Sequence, residues 1–262
     1  MFNFFRQKEK NKFIIAQSED KKWDLENLEE WIQPARKNLP KWWKELPVNR
    51  FEKENFLQKT LEYSYIEDID NFDLRSMPLN AKSCPSFVEI FNNSYLYKAP
   101  VDYFFEFNHT EKKWGWMSAE PQLFKVDTHH LVSQLWGHSK DNIFNVKFSN
   151  PYIIKTTQKL QTLIFLDNIY WQNKCPIKVL PGVLKVLPNY SVAINLNCYV
   201  DWDYITKNKI TRYTINRGDV LAMMYSPEGV IPIEKRKFKE NPKLWFMANY
   251  FKAIKEYYIN QK

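Results

Sequence analysis

The sequence predicts an α+β chain: an N-terminal helical and aromatic arm, a central β-barrel or β-sandwich of jelly-roll or β-clip type, and a C-terminal helix packed on the body. Three observations carry this. β-branched or alternating runs recur between Val146 and Lys237, with polar or Pro/Gly punctuation between them, as in sandwiches and barrels. A wide apolar helical stripe closes the chain. The 262 residues are 44% hydrophobic and 17% aromatic, enough for one sizeable core at about 25 cal/mol per Å² buried. The pattern divides the chain into an arm (1–47), a β-rich body (48–239) and the helix (240–262).

In the arm, Trp23, Leu25, Leu28 and Trp31 fall near helical spacing, with Asp24 as cap and Pro34 as terminator. Pro40-Lys41-Trp42-Trp43-Lys44-Glu45-Leu46-Pro47 reads as a proline-bounded aromatic turn. It either packs its tryptophans on the body or presents them for docking. In the body, Ser83 caps a helix with Pro85 in its first turn; Phe87, Ile90 and Phe91 share a face, and Asn92 and Asn93 stop it. Val101 to Asn108 alternates as a strand, paired with Lys113 to Met117 across a polar turn. Strands follow at 152–157, 160–166, 177–180, 183–186, 191–200, 210–215 and 220–225. Arg217-Gly218-Asp219 marks a tight turn. Asn241 and Pro242 open the last helix, which carries Leu244, Trp245, Met247, Tyr250, Phe251, Ile254, Tyr257 and Tyr258.

The formal charge is +8, from 31 Lys, 7 Arg and 30 acidic residues. Lysines spread along the chain, with few arginines, suit a solvated basic surface better than base reading, which favours the bidentate Arg fork. Nucleic acid is therefore a possible partner but not the favoured one. Three widely spaced cysteines without a C-x-x-C argue against a disulfide framework or zinc knuckle. No apolar run reaches membrane-span length, and the N-terminus lacks a signal-peptide pattern. No cofactor is expected.

Candidate chemistry is sparse. Asp127 and His129, with His138 or His109, are the alternative set for a two-His, one-carboxylate iron site. No His follows His138, where the iron-dependent oxygenase pattern needs one. Asp201 and Asp203 flank Trp202 and read as a turn rim. Asp68, Asp70 and Asp73 lack the Gly and Glu of a calcium loop. The cysteines have no adjacent His and read as small buried hydrophobes.

Three stretches, Pro40 to Pro47, Lys82-Ser83-Cys84-Pro85-Ser86-Phe87 leading to Pro100-Val101-Asp102, and Asn150-Pro151-Tyr152 through Arg217-Gly218-Asp219 to Ile231-Pro232, resemble an uncharacterised β-rich family of marine tailed phages. That resemblance implies a phage protein in the virion or the host cytoplasm, without an assigned activity. Pro181-Gly182-Val183 and Gly218-Asp219-Val220 are also similar to the closing strands of the dUTPase-like β-clip. Lys185 and Met223 stand where that pattern has Asp and Gln.

The expectation is a non-enzymatic phage protein that binds a viral or host macromolecule, with a protein partner, or a second copy of itself, docked on Trp42 and Trp43. The alternative is an enzyme on the same scaffold, nucleotide-directed or an iron-dependent oxygenase.

Overall fold

The computed structural model describes residues 10–18, 31–46, 81–128, 144–150, 152–171, 174–188, 190–238, 254–256 and 258–260. Among them are sixteen strands in four sheets. In chain order the strands are β1 (Phe13–Ser18), β2 (Ile32–Pro34), β3 (Ser94–Lys98), β4 (Tyr103–Asn108), β5 (Lys113–Ser118), β6 (Lys125–Thr128), β7 (Phe144–Ser149), β8 (Ile153–Thr156), β9 (Gln161–Asp167), β10 (Ile177–Val179), β11 (Gly182–Val186), β12 (Val192–Ala193), β13 (Leu196–Val200), β14 (Arg212–Ile215), β15 (Val220–Tyr225) and β16 (Ile233–Phe238). Three short helices lie among them: α1 (Lys41–Glu45), α2 (Pro85–Asn92) and α3 (Trp202–Lys207).

The sheet orders are β12-β8-β1-β16, β10-β13-β7-β6, β11-β9-β15-β3-β2 and β14-β4-β5. Among the described residues each sheet has two ends, so none closes into a barrel. That corrects the barrel half of the expectation. The sheets bury their inner faces in one shared core. Phe13 of β1 meets Tyr95 of β3 edge-on at 5.6 Å, and Tyr103 of β4 meets Phe148 of β7 at 5.0 Å. Alternation explains why: along β4, Tyr103, Phe105 and Phe107 are buried while Phe104, Glu106 and Asn108 face outward.

The five-stranded sheet differs because both of its faces are covered. Val220 to Met224 are all buried in β15, as are Ser94 to Tyr97 in β3. Such strands read as continuous apolar runs. Tyr95 and Tyr97 enter the main core. Leu96 and Val220 enter a second cluster with Ala35, Trp43 and Phe91. A sheet apolar on both faces needs a second cover, and the aromatic turn with α2 supplies it.

The described residues before residue 47 therefore belong to the sheets and their cover, and not to a separate helical arm. β1 lies inside its sheet, antiparallel to β8 and parallel to β16, and β2 pairs with β3. Phe13 to Ser18 is a plain β-branched and polar run whose partners are distant in sequence, which hid its role. The helix expected at 24–33 lies almost wholly outside the described residues, and its end, Ile32–Pro34, is strand. The α2 cap is Cys84, without a side-chain bond, and not Ser83; Pro85 does open the helix. Of the C-terminal helix, 254–256 and 258–259 are helical. Tyr258 is exposed there, and most of the predicted stripe lies outside the described residues.

Two turns fix the sheet connections. In Asn216-Arg217-Gly218-Asp219, Gly218 takes φ +91°, a conformation that favours glycine. Its N–H donates to Ala99 O at 2.8 Å, and Arg217 N–H donates to the Asp102 carboxylate at 2.6 Å. The Arg-Gly-Asp stretch thus has a structural task. In Ser226-Pro227-Glu228-Gly229, Glu228 accepts from Thr162 N–H at 3.0 Å and from the Thr162 hydroxyl at 2.7 Å. Buried Gln161 donates to Ser226 Oγ and Gly229 O.

Partial burial would raise the Glu228 pKa, but the Thr162 bonds and nearby Lys185 outweigh it and hold it below the usual range. A carboxyl lowered by folding stabilises the fold above its unfolded pKa, and that contribution fades as pH falls through the folded value. Glu228→Gln is expected to lower Tm at neutral pH and to flatten the acid limb of the Tm-against-pH curve. Parallel curves for variant and wild type would refute this.

Candidate functional site

Pro40 starts α1 with extended backbone, and the helix makes one turn before Leu46. That single turn sends the adjacent tryptophans to different surroundings. Trp43 is 7% exposed, edge-on to Phe91 at 4.7 Å and beside Phe87. Trp42 is 37% exposed. Its indole N–H donates to Tyr170 O at 3.0 Å, and its ring lies against Phe91 and Tyr170. Lys82 Nζ donates to Leu46 O at 2.7 Å and pins the end of the turn. Of the two expected anchors, Trp43 is a core residue facing away from any partner. Trp42 is the one with a face in solvent.

Two open clefts meet at Asn38, and the smaller lies against this turn. One, of about 340 Å³, lies between the turn and the Gly218-Asp219 loop, and is lined by Lys41, Lys44, Lys98, Trp171 and Asp219. The other, of about 720 Å³, lies between β2 and the approach to β16. Its cations are Arg36, Lys37 and Lys235, and among the described residues no carboxylate lines it. Asn38 is shared by both clefts, and Gln33 lines the larger one. Asn38 Nδ2 donates to Gln33 Oε1 at 2.5 Å, Lys98 Nζ donates to both side-chain oxygens at 3.3 Å, and Trp171 Nε1 donates to Asn38 O at 3.0 Å. These bonds hold the backbone between the clefts in one position.

The phenol of Tyr95 holds the backbone of Ile231, which lines the larger cleft. Its O–H donates to Ile231 O at 2.7 Å and accepts from Ile231 N–H at 2.5 Å. Burial drives its pKa up, against smaller lowering effects from the Ile231 bond and the Arg36 charge. The phenol stays neutral and makes both bonds at once.

The other expected sites disperse. Asp127 lies in β6, in register with Lys147; His129 and His138 lie outside the described residues. Among the described residues no three His, Cys, Asp or Glu side chains converge as metal ligands would. Asp201 caps α3, accepting from Tyr204 N–H at 2.9 Å, and Asp203 lies in its first turn. Asp201 is a helix cap and Asp203 a first-turn acid, not a turn rim; Asp at an N-cap position was the available signal. Burial pushes the Cys175 thiol up to about 11 and the Cys198 thiol well above its ordinary value, so neither is a thiolate at neutral pH. Gln33, Asn38 and Lys98 escaped the sequence reading because single polar residues carry no periodicity.

No known protein family, curated protein or solved structure matches the chain.

Proposed function

We propose that this chain is a non-enzymatic binding protein of a tailed phage, acting in the virion or the host cytoplasm. Its four sheets form a β-sandwich whose surface beside the aromatic turn holds a viral or host protein. One observation carries this reading: a partly exposed Trp42, fixed by a buried neighbour and a backbone hydrogen bond, lies on the same helical turn as Lys41 and Lys44, which line an open cleft. Rigid aromatic residues at the edge of a concave surface are the usual anchors of protein contacts, because little entropy is lost when they are covered. The phage assignment rests on the resemblance of the three stretches beginning at Pro40, Lys82 and Asn150.

Trp42→Ala is expected to leave Tm within about 1 kcal/mol equivalent of wild type. It should reduce retention of the chain on purified phage particles, or on its host partner, by about tenfold or more. Equal retention of variant and wild type would remove Trp42 from the contact. A wild-type chain that stays monomeric and is retained by neither would contradict the proposal.

A further inference from the structure

The larger cleft lies between the last strands of two different sheets. β2 ends the five-stranded sheet and β16 ends a four-stranded one. Ile32, Gln33 and Pro34 line one side, and Ile233 and Lys235 the other. A terminal strand presents backbone groups on its outer side that a further extended chain can pair with. Pro34 has no N–H, which leaves β16 as the better template. Ile231, on the cleft lining, needs no backbone partner from outside, because Tyr95 already satisfies both of its backbone groups.

Charge selects the occupant. Arg36 and Lys37 are exposed at the mouth, Lys235 lies on the β16 side, and among the described residues no carboxylate lines the cleft. Glu234, the acidic residue of β16, is bonded to Lys12 and Arg236. The rest of the described lining is Gln33 and Asn38 together with aliphatic and proline residues: Ile32, Pro34, Val230, Ile231, Pro232 and Ile233. Nucleic-acid bases stack on aromatic faces, and the described lining residues include none. An extended peptide alternating acidic and aliphatic side chains matches both the cations and the lining.

We infer that the cleft between β2 and β16 receives an extended, acidic segment of a partner protein, added as a strand along β16 with its carboxylates on Arg36, Lys37 and Lys235. This rests on the proposed protein-binding role and names the chemistry of the bound segment.

The test uses the full chain and a short fluorescein-labelled peptide alternating Glu and Val, read by fluorescence anisotropy at low and moderate salt. Saturable binding is expected, weakened about tenfold or more by Arg36→Glu with Lys37→Glu. These two side chains are exposed, so Tm should hold. Lys113→Glu, on the β4–β5 surface, should bind like wild type. A peptide with Lys in place of Glu, or with alternate backbone nitrogens methylated, should lose binding. No binding by wild type, equal binding by the Arg36/Lys37 variant, or tolerance of methylation would overturn the inference. So would tighter binding of oligo-dT that is lost in the same variant, which would assign the cleft to nucleic acid. If the peptide fails while Trp42-dependent partner retention persists, the binding role stands and only the cleft assignment falls.

Discussion

Trp43→Ala is expected to cost about 3–5 kcal/mol, the range for deleting a buried aromatic side chain. Trp43 packs on Phe91 and Phe87 in the cluster that covers the outer face of the five-stranded sheet, with Leu96 and Val220 beneath it. Truncation leaves a cavity that Trp42 cannot fill, since Trp42 is tied to Tyr170 O. For a chain of this size the loss corresponds to a fall in Tm of roughly 2–4 °C per kcal/mol. Trp42→Ala should cost far less in stability and far more in binding. Measuring both variants by thermal denaturation and partner retention separates the roles of two adjacent tryptophans. Similar stability losses in the two would mean that the turn does not cover the sheet as described.

Tyr95→Phe is expected to cost about 2 kcal/mol. Ring packing against Phe13 is kept, while Ile231 loses the acceptor for its N–H and the donor for its C=O. A buried backbone group left unpaired costs about 1–3 kcal/mol, and half-burial of Ile231 places the pair near the low end. Because burial keeps the phenol neutral, the deficit should be constant across neutral and mildly alkaline pH. Urea denaturation at several pH values checks this. A deficit that disappears as pH rises would mean that the phenol ionises in the folded chain.

Local pattern was legible in the sequence, and non-local pairing was not. Strands β4, β5, β8, β9, β11, β14 and β15 lie where alternation and turn residues placed them, because each carries its own period and its own punctuation. The glycine turn at Gly218 was equally plain. β1 and β2 were missed because their partners, β8, β16 and β3, are remote, and three to six residues carry too little periodicity to declare themselves. The same remoteness produced the separate arm and the closed barrel. Strand order is set by which edges pair, and nothing local to Phe13–Ser18 points to Ile233–Phe238.

The candidate site was half legible for a related reason. Pro40 to Pro47 stood out by composition, but burial separates Trp43 from Trp42, and burial depends on the sheet beneath them. The cation-lined clefts join residues 32–38 to residues 230–235 and residues 38–44 to Lys98 and Gly218. Lysines spread through the sequence become a surface only after folding.

Site-specific photocrosslinking tests the central claim most directly. A benzophenone side chain replaces Lys41, on the exposed side of α1 at the smaller cleft, and in a second chain replaces Lys113 on the β4–β5 surface. Both are irradiated in cells that make the chain together with its partner. The account predicts a discrete protein adduct from position 41 that Trp42→Ala abolishes, and none from position 113. Adducts of equal yield from both positions, or an adduct from position 113 alone, would contradict it.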